Sequence, residues 1–206
     1  MTIESRGKSS HGSCPERGLN AIAHMVYLLR EFLQECEHDK FFNFLKYKIG
    51  FETSGKSLGI NCSDPLSGEL TLNLGKISYK NNIMQAALDI RYPVSFNGSA
   101  IFDKIKNTAA LYHIKTEILQ HKNPLYVPEN SELIKRLQRA YEKTTHEKAE
   151  CLVMGGGTYA RKLNSKGVAF GGVGSGAHQA DENICIDELM THAKICTQAI
   201  YELSID

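Results

Sequence analysis

Four stretches of this 206-residue chain gather side chains able to do chemistry. Gly50-Phe51-Glu52-Thr53-Ser54-Gly55-Lys56-Ser57 fits the phosphate-loop pattern G-x-x-x-x-G-K-S letter for letter. A loop of that kind needs a strand before its glycines and a helix after them, so that the helix N-terminus faces the phosphates. Gly59 and Pro65 follow with no helical periodicity, so the segment reads as a flexible loop. Gly155-Gly156-Gly157-Thr158-Tyr159-Ala160-Arg161 is the second stretch. Three glycines let a ligand or another backbone come close, Thr158 supplies a hydroxyl and Arg161 a fixed cation. The plain alternative is an ordinary loop.

Ala177-His178-Gln179-Ala180-Asp181-Glu182-Asn183 is the third stretch. A neutral imidazole beside carboxylates suits a metal ligand with outer supports, but a catalytic zinc takes three protein ligands. No H-x-D pair and no Glu-Glu pair accompanies it, so on residues alone His178 reads as a surface side chain. The last stretch is Gly7-Lys8-Ser9-Ser10-His11-Gly12-Ser13, followed by Pro15, Gly18 and Asn20. Two readings stand there: a loop histidine capping the next helix, or a histidine presented at a strand end toward a site.

Composition narrows the classes. Hydrophobic residues make up 42% and charged residues 23%, as in ordinary globular proteins. A net charge of +1 gives no general grip on phosphate backbones, so no nucleic-acid partner is expected. No apolar run approaches the ~20 residues that span a bilayer. MTIESRGKSSHGS lacks the apolar stretch of a secretory signal, and a cytoplasmic address is the expectation. Six cysteines without a C-x-x-C pair read as free thiols.

The elements that must carry these residues follow from periodicity. A strand is expected over 2–10, then a helix with Leu19, Ile22, Ala23, Val26, Leu29 and Leu33 on one face. A short helix in the 41–51 segment leads into a loop. Glu69–Tyr79 reads as a strand with a phase shift at Gly75, and Asn81-Asn82 as a tight turn. Met84–Tyr92 alternates cleanly as the next strand, placing Arg91 on the face opposite the apolar residues. Asn97 suits the cap of a helix bearing Ile101, Ile105, Ala109 and Tyr112, and Ile114–Leu119 reads as a closing strand. That order, βαββαβ, is the ferredoxin-like sandwich of an α+β protein. Beyond Pro128 the expectation is a helix near 131–144, a buried strand at Cys151–Met154, a long glycine-rich loop and a final helix over about 186–203. The loop exceeds the ~12–15 residues usual in a compact fold, and the strand lacks a partner.

In combination and order these stretches resemble the second half of PepV-like dipeptidases, within the zinc peptidases that include carboxypeptidase G, aminoacylase and carnosinase. GKSSHGSCPERGLNAI (7–22), the segment from SGELTLNLGKI through LDIRYPV (67–94), VMGGGTYARKL (153–163) and VAFGG to AHQADENICID (168–187) carry the match. The resemblance implies a lid domain over residues 1–125 and the C-terminal segment of an α/β zinc-peptidase catalytic domain over 126–206. It implies that His11 donates to the oxyanion of the scissile carbonyl, and that Arg91 binds the substrate carboxylate. Gly157, Thr158 and Arg161 match a substrate-contacting loop, and His178 the last zinc ligand, with Glu182 supporting it. The segment Gly171–Gly176 is shorter than the family's and lacks a proline before the histidine.

The resemblance further implies two zinc ions in the complete enzyme and a dipeptide substrate. The general base and remaining ligands belong to an N-terminal catalytic segment missing from this chain, which is therefore expected to be inactive alone. The alternative is a non-catalytic truncated relative acting as a binding module or forming a homodimer through its sheet.

Overall fold

The computed structural model describes residues 2–32, 38–163, 166–171, 174–176 and 181–205. The chain divides into two units, Met1–Pro124 and Leu125–Asp206, each with its own packing.

In the first unit, helix α1 (Ala21–Phe32) starts where Asn20 accepts hydrogen bonds from the Ile22 and Ala23 N–H groups at 3.0 and 3.1 Å. These bonds satisfy donors that have no partner within the helix. The Asn20 amide also donates to the Leu74 carbonyl at 2.9 Å, fastening the start of α1 to the sheet. Ala23 and Val26 are buried and Ile22 and Leu29 pack beside them; Leu19 is half exposed, and Leu33 lies outside the described residues. Helix α2 (Asp39–Phe44) continues into a π-helical turn, Leu45–Ile49, whose Leu45 and Ile49 are among the most buried side chains.

The segment after Gly50 is tied down rather than flexible. Leu58 and Ile60 are buried, and the Ile60 N–H donates to the Gly55 carbonyl at 3.0 Å. A two-residue ladder pairs β1 (Ser63–Asp64) with β2 (Gly68–Glu69). The Asp64 carboxylate accepts from the N–H groups of Leu66, Ser67 and Ser95 and from the Ser67 hydroxyl. Desolvation raises its pKa, but these donors outweigh that and bring it down to about 2.

Strands β3 (Thr71–Lys80) and β4 (Ile83–Arg91) form an antiparallel hairpin with Leu72 opposite Ile90 and Leu74 opposite Leu88. A bulge between Leu74 and Lys76 restores phase at Gly75, so Ile77 faces the same way as Leu72 and Leu74. Asn81 and Asn82 turn the hairpin with φ of 51° and 60°, the region Asn tolerates. Asn97 caps α3 (Gly98–Ala110) by accepting from the Ser99 N–H at 2.9 Å. Val26, Leu72, Leu74, Ile101, Ile105 and Ala109 meet in one core, placing α1 and α3 against the apolar side of the hairpin.

Two strands expected in this unit are not formed among the described residues. Residues 2–10 contribute only a bridge between Lys8 and Leu19, and 114–119 has no ladder. Ile114 packs on the core, whereas Ile118 and Leu119 are exposed. The chain that follows is held elsewhere: the Tyr92 hydroxyl pairs with His121 Nε2 at 2.9 Å and donates to Asn123 Oδ1 at 3.3 Å. Apolar alternation allowed a strand there, but a strand exists only where an edge accepts it. Of the ferredoxin-like pattern, the described residues keep the central hairpin and both helices, without the outer strands.

In the second unit, α4 (Glu132–Thr145) begins at Ser131 and ends at His146, which adopts a left-handed conformation. It packs on α5 (Ile186–Ser204) through Leu137, Ala140 and Ala199. Glu202, 1% exposed, sits among them and accepts from Lys143 at 2.7 Å and Gln198 at 2.9 Å. Cys151–Met154 is not a buried strand: Leu152 is 85% exposed and Val153 66%.

Candidate functional site

In the first unit, β4 presents Asp89 and Arg91 on the face away from the core, opposite Asn73 and Thr71 of β3. The Arg91 guanidinium donates through Nη2 to Asp89 Oδ2 at 2.9 Å. The Thr71 hydroxyl is buried on the same face with no hydrogen-bond partner among the described residues. The turn that carries His11 comes to this pair. A Cβ added at Gly12 would lie 2.8 Å from Asp89 Oδ2 and 3.4 Å from Arg91 Nη2. His11 and Arg91, distant in sequence, thus belong to one neighbourhood.

His11 is half buried, and its Nδ1 lies 2.6 Å from Ser13 Oγ and accepts from the Ser13 N–H at 3.3 Å. The Cys14 N–H donates to the His11 carbonyl at 2.8 Å and closes the turn, which the short 3₁₀ segment Pro15–Arg17 follows. Neither Asp89 nor Ser13 stood out as a site residue in the sequence. For Asp89 a signal existed, because residues two apart on a strand share a face. For Ser13 none did, since a serine beside a glycine reads as turn chemistry.

In the second unit, Gly155–Thr158 leads into a 3₁₀ segment, Tyr159–Leu163, and the Arg161 N–H donates to the Thr158 carbonyl at 3.3 Å. Thr158 and Arg161 are half buried, Tyr159 is 86% exposed, and Ala160 is buried beneath them. Among the described residues, none beyond its chain neighbours comes within 4 Å of a Cβ built at Gly157. His178 lies outside the described residues. On either side of its segment, Ser175 and Asn183 exchange backbone hydrogen bonds at 2.9 and 3.1 Å. Glu182, next to that bridge, is exposed. No group of three or more His, Cys, Asp or Glu gathers into a metal-holding cluster among the described residues.

The phosphate-loop pattern is not a phosphate site. A π-helical turn precedes it, and the next described element is the strand β1, not a helix. The Glu52 carboxylate takes the Ser57 N–H at 2.9 Å and the Ser57 hydroxyl at 2.7 Å. Those are the donors a phosphate would require. No helix among the described residues is long and apolar enough to cross a membrane.

Fold and geometry define an α+β chain whose first unit presents an imidazole turn beside a strand-borne guanidinium. The chain belongs to peptidase family M20/M25/M40, whose model matches residues 12–202, in agreement with the resemblance read from its sequence. It is 39% identical over 213 residues to "Putative dipeptidase YtjP" of Bacillus subtilis (strain 168), a match covering 99% of this chain and 44% of that protein. A "Putative dipeptidase" of Staphylococcus aureus (strain USA300) is 30% identical over 211 residues, covering 100% of this chain and 44% of the relative. The chain therefore spans less than half the length of these relatives.

Proposed function

We propose that this chain is part of a zinc dipeptidase, contributing a lid (1–125) and the last segment of the catalytic domain (126–206). The observation that carries the reading is the seating of the His11 turn against the Asp89–Arg91 pair. A guanidinium fork is suited to a substrate's free carboxylate, and an imidazole N–H to the oxyanion of a tetrahedral intermediate. In this reading Arg91 anchors the carboxylate and His11 is the oxyanion donor. Gly157, Thr158 and Arg161 contact substrate, and His178 is a ligand to one of two zinc ions, with Glu182 behind it.

The described residues do not by themselves fit a metal centre, because no three candidate ligands gather among them. When bound, the metal pair would supply an activated water. The roles assigned to this chain's described residues are binding and orientation. Exposure of the apolar run Leu152–Met154 supports a missing catalytic segment, since such a run is ordinarily covered.

A dipeptide hydrolysis assay with added zinc tests the reading. The chain alone should give no turnover, and turnover at ordinary peptidase rates would overturn its incompleteness. Supplying in trans the portion of a dipeptidase relative outside the match should restore activity. Arg91→Ala should then raise KM about tenfold or more, through loss of a charge-assisted pair.

One observation favours a second reading, a self-associating module: α5 exposes Ile186, Met190, Ile200 and Tyr201. A concentration-dependent dimer in light scattering, together with no activity on complementation, would select it.

A further inference from the structure

The turn carrying His11 brings two groups of one neighbouring residue to a single nitrogen of its ring. Its backbone closes through the Cys14 N–H to the His11 carbonyl, and the Ser10 hydroxyl donates to the Cys14 carbonyl. Gly12 seats it on β4, where any larger residue would meet Asp89 and Arg91. Inside this frame two groups of Ser13 address one ring nitrogen: the hydroxyl lies 2.6 Å from His11 Nδ1, and the backbone N–H donates to it at 3.3 Å. A backbone N–H can only donate, so Nδ1 is an acceptor, and the hydroxyl can turn its own proton toward the same lone pair. A neutral imidazole carries a single N–H, which must then be on Nε2.

We propose that Ser13 is a positioning residue that sets His11 as the Nε2–H tautomer and aims that donor. The inference rests on the dipeptidase reading for its catalytic consequence, since an oxyanion donor must present a proton where negative charge develops. The tautomer itself follows from the turn. Ser13 touches no reacting atom and acts through His11.

Imidazole ¹⁵N NMR on the full 206-residue chain tests this, about two pH units above the ordinary histidine value of about 6.5. His11→Gln identifies the His11 resonances by their disappearance. The wild-type ring should be essentially all Nε2–H. Ser13→Ala should lower the ratio of Nε2–H to Nδ1–H about fivefold, the worth of one neutral hydrogen bond. Ser13→Thr, which keeps the hydroxyl, should restore the ratio. A wild-type ring protonated on Nδ1, or a ratio unmoved by Ser13→Ala, overturns the proposal.

In the complemented enzyme, Ser13→Ala should lower kcat about fivefold with KM little changed. If His11→Gln left kcat intact while the tautomer result held, the dipeptidase role of His11 would fail and the assignment to Ser13 would stand.

Discussion

The two units are held together by different physics. In Met1–Pro124 one apolar core joins α1, α2, the π-helical turn, the hairpin and α3, and its polar fixings (Asn20, Asp64 and Asn97) lie at element ends. In Leu125–Asp206 the described apolar core is smaller, built on Leu137, Ala140 and Ala199 of α4 and α5, and the buried charged group among the described residues is the Glu202 carboxylate. Lys143, Gln198 and Arg139 surround Glu202, while Arg136 donates to the carbonyls of Glu202 and Ile205. The first core, organised mainly by burial, is intolerant of cavities, whereas the second turns on an ion pair. Much of the second unit's apolar surface, including Leu152, Val153, Ile186 and Ile200, is exposed to solvent.

The largest effect expected from breaking this contrast is in the first unit. Leu72→Ala empties a site at the centre of the core and should cost about 3 kcal/mol, read as a lower denaturation midpoint for this unit. A loss under about 1 kcal/mol would mean that the core repacks or is less dense than the burial of Leu72 implies.

Acid should act on the second unit before the first, where the Asp64 contribution is lost only as pH falls from 3.8 toward about 2. The Lys143 ammonium beside Glu202 holds its carboxyl below the ordinary glutamate value of 4.5, against the upward push of burial. Its folded value lies below its unfolded one. The stability it contributes is therefore complete above about pH 4.5 and disappears as pH falls through the folded value. Helix signal from α4 and α5 should fade on acidification in that window, and Glu202→Gln should flatten the dependence. If the first unit lost structure at higher pH than the second, the contrast would be wrong.

The smallest effects concern caps. Asn97→Ala should cost about 1 kcal/mol, because its side chain takes the Ser99 N–H at 2.9 Å. Ser131→Ala should cost about half as much, its bond to the Ile134 N–H being 3.4 Å long. Urea unfolding of the two variants compares them directly.

Local and tertiary information divide cleanly along the chain. Periodicity and cap chemistry sufficed for α1, α3, α4 and α5, for the bulge at Gly75 and for the Asn81-Asn82 turn. Each of these depends on residues within a few positions of one another. The order of motifs from GKSSHG to GGGTYAR was enough to indicate the peptidase family. Only the tertiary structure decided that, among the described residues, 2–10 pair through no more than the Lys8–Leu19 bridge, that 114–119 form no ladder and that Cys151–Met154 is exposed. Strand formation depends on a neighbour that local sequence does not name. The same holds at the candidate site. His11 was legible as a candidate from its type and Arg91 from the family resemblance, whereas the seating of the Gly12 turn against Asp89 and Arg91 arises from how a turn and a strand far apart in the chain are packed.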